Sequence, residues 1–181
     1  MFTKKIRDWF KKVFTSKKPA KAAQPAEPQF CGEVNYGRNL AEMITAAKFD
    51  WPCSHHFNEK NFPRKSSEPK RVIFVLVPPL KENSTIDDFV RYFEEQDLVP
   101  ADLQELLTFT QKYPDEQRTK SIIALGSPWD GEPVSAWEDF EAHHHRFYPC
   151  LHGNVRERGM DLPECRHWGH HRWALAIREI V

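Results

Sequence analysis

An α+β fold, a small and mostly antiparallel sheet packed by two or three helices and preceded by an N-terminal amphipathic helix, is predicted by three features of the 181-residue chain. Residues 71–77, RVIFVLV, are apolar and β-branched without alternation, which marks a strand covered on both faces. Two segments of helical periodicity follow that strand. Further strand-like runs at 121–126, 146–151 and 172–180 then cluster in the last third. Helices and strands grouped in blocks favour a segregated α+β arrangement over a doubly wound sheet.

The elements follow in order. Phe2, Ile6, Trp9, Phe10, Val13 and Phe14 recur at helical spacing, and at about 100° per residue they share one face. Lys4, Lys5, Arg7, Asp8, Lys11 and Lys12 occupy the rest, so residues 1–15 read as a basic amphipathic helix. Residues 16–29 are rich in Lys, Ala and Pro and read as a flexible linker, leaving 30–181 as a single globular domain. Within it, Leu40, Met43, Ile44 and Ala47 repeat as one side of a helix. The stretch after them, broken by Pro52 and Pro63, is expected to be irregular. Ser84, with Asp87 three residues on, is the predicted N-cap of a helix with Ile86, Phe89, Val90 and Phe93 facing inward. A second helix is expected to start at Pro100, where a missing N–H costs nothing, to bury Leu103, Leu106, Leu107 and Thr110, and to stop before Pro114. The two are expected to form a helical hairpin. SPWDGEP at 127–133 reads as a loop, and Gly153 and Gly159 as turns between the late strands.

Charge divides the chain. The first 21 residues hold eight Lys or Arg against Asp8 alone, a net +7, and because the whole chain is neutral the remainder is −7. A basic arm on an acidic body implies an anionic partner for the arm, a membrane surface or a partner protein, and argues against nucleic acid as ligand of the domain. Cys31, Cys53, Cys150 and Cys165 occur without a secretory signal pattern, so a reducing cytoplasmic location is expected, peripheral at a membrane if the helix docks there. No stretch approaches the roughly 20 apolar residues of a membrane span.

The run LVPADLQELLTFTQKYPDEQRTKSIIALGS at 98–127, with NFP at 61–63, FYPCL at 147–151 and RWALAIRE at 172–179, resembles a group of small uncharacterised bacterial proteins across residues 30–179. The resemblance implies one cytosolic domain of a recurring fold. No activity is established for the group, so no site residue follows from it.

Three Cys-x-His pairs stand out: Cys53 with His55, Cys150 with His152, and Cys165 with His167. Residues two apart point the same way on a strand, and two such pairs supply the two thiolates and two imidazoles of a tetrahedral zinc site, for which Cys150, His152, Cys165 and His167 are the candidates. The simpler reading is buried structural thiols, surface imidazoles and no cofactor. His143, His144 and His145 beside Glu138, Asp139 and Glu141 read as a solvated cluster. Gly126-Ser127 lacks the flanking Gly-x-Ser-x-Gly of a nucleophile elbow, and phosphate-cradling glycine motifs are absent. The sequence therefore predicts a non-enzymatic binding or accessory module, contacting a partner protein or anionic membrane through Phe2, Ile6, Trp9, Phe10, Val13 and Phe14. The alternative is a small zinc-binding protein or metalloenzyme built on its C-terminal Cys and His residues.

Overall fold

A computed structural model describes residues 28–51, 53–81, 84–130, 146–164 and 172–180. The expected N-terminal helix, nearly all of the linker, the three consecutive histidines, Cys165 and His167 lie outside the described residues. In chain order the elements are β1 (Gln29–Asn35), α1 (Leu40–Ala47), β2 (Pro69–Val77), α2 (Ile86–Gln96), β3 (Val99–Pro100), α3 (Leu103–Lys112), a 3-10 turn at Glu116–Arg118, β4 (Ser121–Ala124), β5 (Trp129–Asp130), β6 (Arg146–Phe147), β7 (Cys150–Gly153), β8 (Arg158–Asp161) and β9 (Arg172–Glu179). The fold is mixed α and β. Six strands lie in the order β1-β2-β9-β4-β7-β8, β3 pairs with β9 beside them, and β5 and β6 form a separate two-stranded ribbon. Every pairing is antiparallel except β4 with β9.

The missing alternation in β2 has the predicted cause. Val72, Phe74 and Leu76 enter one buried layer while Val75 and Val77 enter the other. The same division runs through β9, with Leu175 and Ile177 on one side and Ala174 and Ala176 on the other, and through β4, with Ile122 and Ala124 against Ile123 and Leu125. The sheet thus splits the apolar interior into two layers, the first covered by α1 and α3 and the second by α2.

That division overturns the expected helical hairpin. Phe89 and Phe93 of α2 pack with Val75, Ile123 and Ala176, whereas Leu103, Leu106, Leu107 and Phe109 of α3 pack with Phe74, Ile122 and Leu175 on the opposite face. The chain crosses between faces through β3, whose Val99 and Pro100 sit opposite Ile177 and Ala176 of β9. Pro100 is therefore a strand residue and not the first residue of a helix. The helix begins three residues later, at Leu103, capped by Asp102, because Asp102 and Glu105 form a reciprocal capping box. The start of α2 also moves by one position. Thr85 is its N-cap, since Asp88 reaches back to the Thr85 amide at 2.9 Å, while the Ser84 hydroxyl is engaged with the Lys81 backbone. The helix expected from Leu40 to Ala47 forms over those residues, with Leu40, Met43 and Ala47 buried.

Further corrections concern strands of polar composition. β1 begins at Gln29, inside the expected linker, and Gly32 is required there: a Cβ would lie 2.4 Å from the Phe74 ring beneath it. The single strand expected at 146–151 is two, interrupted at Tyr148-Pro149, so that β6 joins β5 and β7 joins the main sheet. Gly159 lies within β8 and not in a turn. Among the described residues, no helix is long and apolar enough to cross a membrane.

Because Phe89 and Phe93 are the fully buried side chains of α2, they carry that helix onto the sheet. Phe93→Ala is expected to lower unfolding stability by about 3–5 kcal/mol, the usual cost of a core Phe truncation. Urea denaturation of the full chain checks this, and a loss under 1 kcal/mol would mean that α2 is not held by its second layer.

Candidate functional site

Two groups of chemistry-bearing side chains are brought together by this fold. One lies at the N-terminus of α3. Asp102 and Glu105 are 3% and 4% exposed, so two adjacent carboxyl groups are taken out of water. Glu105 accepts from the Asp102 amide at 2.6 Å and from the Tyr36 hydroxyl, Asp102 accepts from the Glu105 amide at 2.9 Å, and Lys65, half exposed, pairs with Asp102 at 3.2 Å. Burial, and then the charge of Asp102, pushes the Glu105 carboxyl up to about 7 against the opposing pull of Lys65 and the Tyr36 hydrogen bond. Burial and the Glu105 charge likewise raise the Tyr36 phenol well above its ordinary range. These shifts have a structural origin: every one of the polar groups is consumed in capping α3 and in fastening it to the loop after β1. The Gln104 side chain adds a bond to the Tyr36 carbonyl at 3.2 Å. Ser127, which the sequence set beside a glycine at a strand end, belongs to the same cap, its hydroxyl accepting from the Leu103 amide at 3.0 Å. Gly126 before it is needed because a Cβ would meet the Pro100 carbonyl at 2.4 Å.

The second group lines a recess of about 460 Å³ at the far edge of the sheet, formed by Trp51, Cys53, Ser54, His55, His152, Met160 and Asp161. β7 and β8 supply one wall and the irregular segment after α1 the other. That segment is fastened by its own side chains. The Asp50 amide donates to the Arg158 carbonyl at 2.9 Å, and its carboxylate accepts from the Arg158 amide at 2.7 Å. The buried Arg158 guanidinium donates to the last carbonyls of α1, Ala47 and Lys48, at 3.1 and 2.9 Å. Trp51 then lies directly on Gly159, where any Cβ would overlap the indole at 1.6 Å, and its ring centre is 5.3 Å from that of His152. Farther on, Asn58 accepts from the amides of Lys60 and Asn61 and donates to the carbonyls of His55 and His56, which fixes the turn that carries both imidazoles. His56 continues a row of rings through His55 at 4.0 Å and Trp129 at 4.3 Å.

Of the four zinc candidates the structure describes two, and it sets them in different surroundings. Cys150 is buried in the α2 layer with Ile123 and Tyr148, whereas His152, two residues on, is half-buried at the recess with Cys53 and His55. Cys165 and His167 lie outside the described residues. Among the described residues, no three His, Cys, Asp or Glu side chains are grouped as a metal ion requires. Burial pushes the Cys53 thiol up to about 11, against a smaller opposing effect of the Met160 backbone, so it stays protonated at neutral pH. Trp51 and Asp161 were not marked by the sequence reading. The signal available for Trp51 was a glycine in a strand, which indicates close approach of another group.

A group whose acid form is favoured by folding adds stability below its unfolded pKa and loses it as pH rises through its folded value. For Glu105 that window runs from about pH 4.5 to 7. Stability is expected to fall across this window by on the order of 2–3 kcal/mol, and Glu105→Gln, which keeps the acceptor for the Asp102 amide, is expected to flatten the decline. Chemical denaturation at a series of pH values checks this; an unchanged slope in the variant would remove Glu105 as its source.

No known protein family, curated protein or solved structure matches this chain.

Proposed function

We propose that the protein is a non-enzymatic binding or accessory module that docks through its N-terminal segment on an anionic surface, of a membrane or of a partner protein. One observation carries the reading: Phe2, Ile6, Trp9, Phe10, Val13 and Phe14 fall on one side of a helical pattern, with eight Lys or Arg residues before position 22. The aromatic face supplies area to bury, and each cation near an anionic bilayer adds on the order of 1 kcal/mol, screened over a Debye length of about 8–10 Å. Together the two terms give attachment that salt reverses.

Full-length protein is expected to co-sediment with anionic vesicles and not with neutral ones, to release as salt is raised, and to lose binding when Trp9 and Phe10 become Ser. Absence of binding to either vesicle would assign the segment to a protein partner. Equal binding to both vesicles would remove the electrostatic half of the proposal.

A further inference from the structure

The recess beside β8 has a one-sided chemistry. Its described lining holds an indole, two imidazoles, a thioether, a thiol, a hydroxyl and the Asp161 carboxylate, with no Lys or Arg among them. One Asp161 oxygen accepts from the Leu162 amide at 2.7 Å, and among the described residues no cation pairs with that carboxylate. An anionic ligand entering here would meet repulsion from Asp161 and, among the described lining residues, no Lys or Arg. A cation would meet both the carboxylate and the negative face of an aromatic ring, indole being the strongest of these. Beyond residue 21 the chain carries a net −7.

We propose that this recess binds a small organic cation, with its ammonium group against Trp51, flanked by His55 and His152 and neutralised by Asp161. The walls are set before a ligand arrives. Trp51 is seated on Gly159 and held through the clamp between Asp50 and Arg158, and His55 sits in the turn locked by Asn58. A site that needs no ordering on binding keeps more of its contact energy as affinity. At about 460 Å³ the recess falls within the roughly 300–1,000 Å³ of small-molecule sites.

The test is calorimetric titration of the full chain, at fixed ionic strength, with choline as the cation, 3,3-dimethylbutan-1-ol as its neutral isostere, and inorganic phosphate as the anion. Saturable one-to-one binding is expected for choline alone. Trp51→Ala and Asp161→Asn are each expected to weaken it about tenfold. The second variant is made at an exposed position and retains an acceptor for the Leu162 amide, so it tests the charge without disturbing the packing of Trp51. Equal binding of the neutral alcohol, choline binding indifferent to both substitutions, or no binding up to about 10 mM, an affinity weaker than about −3 kcal/mol, would overturn the proposal. A stoichiometric transition metal in the purified protein, lost on replacing Cys53 and His55, would also overturn it, because the recess would then be a metal site.

Discussion

The last strand in the sequence must reach the middle of the sheet. β9 is bonded to β2 along one side and to β4 and β3 in series along the other, and it alone joins the β1–β2 half to the β4–β7–β8 half. Its side chains suit that position on both faces. Ala174 and Ala176 are small where the Phe89 and Phe93 rings of α2 descend on the sheet, while Leu175 and Ile177 are large where they meet the layer under α3. Large against small across an interface is how two layers fill without voids. Because β2 spans 69–77 and β9 spans 172–179, their pairing is among the most non-local contacts in the molecule, and loop closure must be met before the centre of the sheet exists.

The crossing from α2 to α3 follows from the same constraint. β4 lies beside only the first part of β9, which leaves the edge at Ala176 and Ile177 open, and β3 fills it. The Ala101 amide continues the ladder to the Leu175 carbonyl at 3.0 Å, and the Ala101 carbonyl receives the Gly126 amide at 2.8 Å. The chain after β4 therefore packs against the end of β3 beside β9, which is why Gly126 has no room for a side chain. A helix placed on each face follows, since the chain enters β3 from one side of the sheet and leaves it on the other.

This explains what the sequence could and could not convey. Periodicity locates the apolar stripe of α2 and of α3, although α3 also buries Gln104, Glu105 and Phe109 outside the expected stripe, and a stripe does not say which face of a sheet it will cover. Composition found β2, β4 and β9 because strands buried on both faces are continuously apolar. It missed β1 and β8, whose segments QFCGEVN and RGMD are polar edge strands stabilised by their neighbours. Pro100 was read as a helix start because proline suits both the first helical turn and a sheet edge. The Asp102–Glu105 capping box was the stronger sign. At the recess, the Cys-x-His spacing drew attention to Cys53, His55 and His152, yet strand spacing fixes only the direction of a side chain. What surrounds it depends on tertiary neighbours, so Cys150 ends in a core layer and His152 beside Trp51.

The recess itself is a consequence of covering an edge. An unpaired strand offers amides and carbonyls to other chains, and each end of this sheet is guarded. On β1, the Cys31 carbonyl receives the Lys112 ammonium at 2.7 Å and the Tyr113 hydroxyl at 2.6 Å. On β8, the backbone of Arg158 is closed by Asp50 and the strand face at Gly159 by Trp51. A loop that guards a strand must carry polar groups to match the strand and apolar groups to exclude water, and the segment after α1 does both with Asp50, Trp51 and Cys53. Its irregular backbone then needs the Asn58 and Asn61 side chains to satisfy its own carbonyls, which in turn sets His55 and His56 in place. The concavity left between this loop and β7–β8 is thus rigid for reasons that have nothing to do with a ligand. Only its lining, a carboxylate that no cation pairs among the described residues and that lies among rings, is unexplained by edge protection.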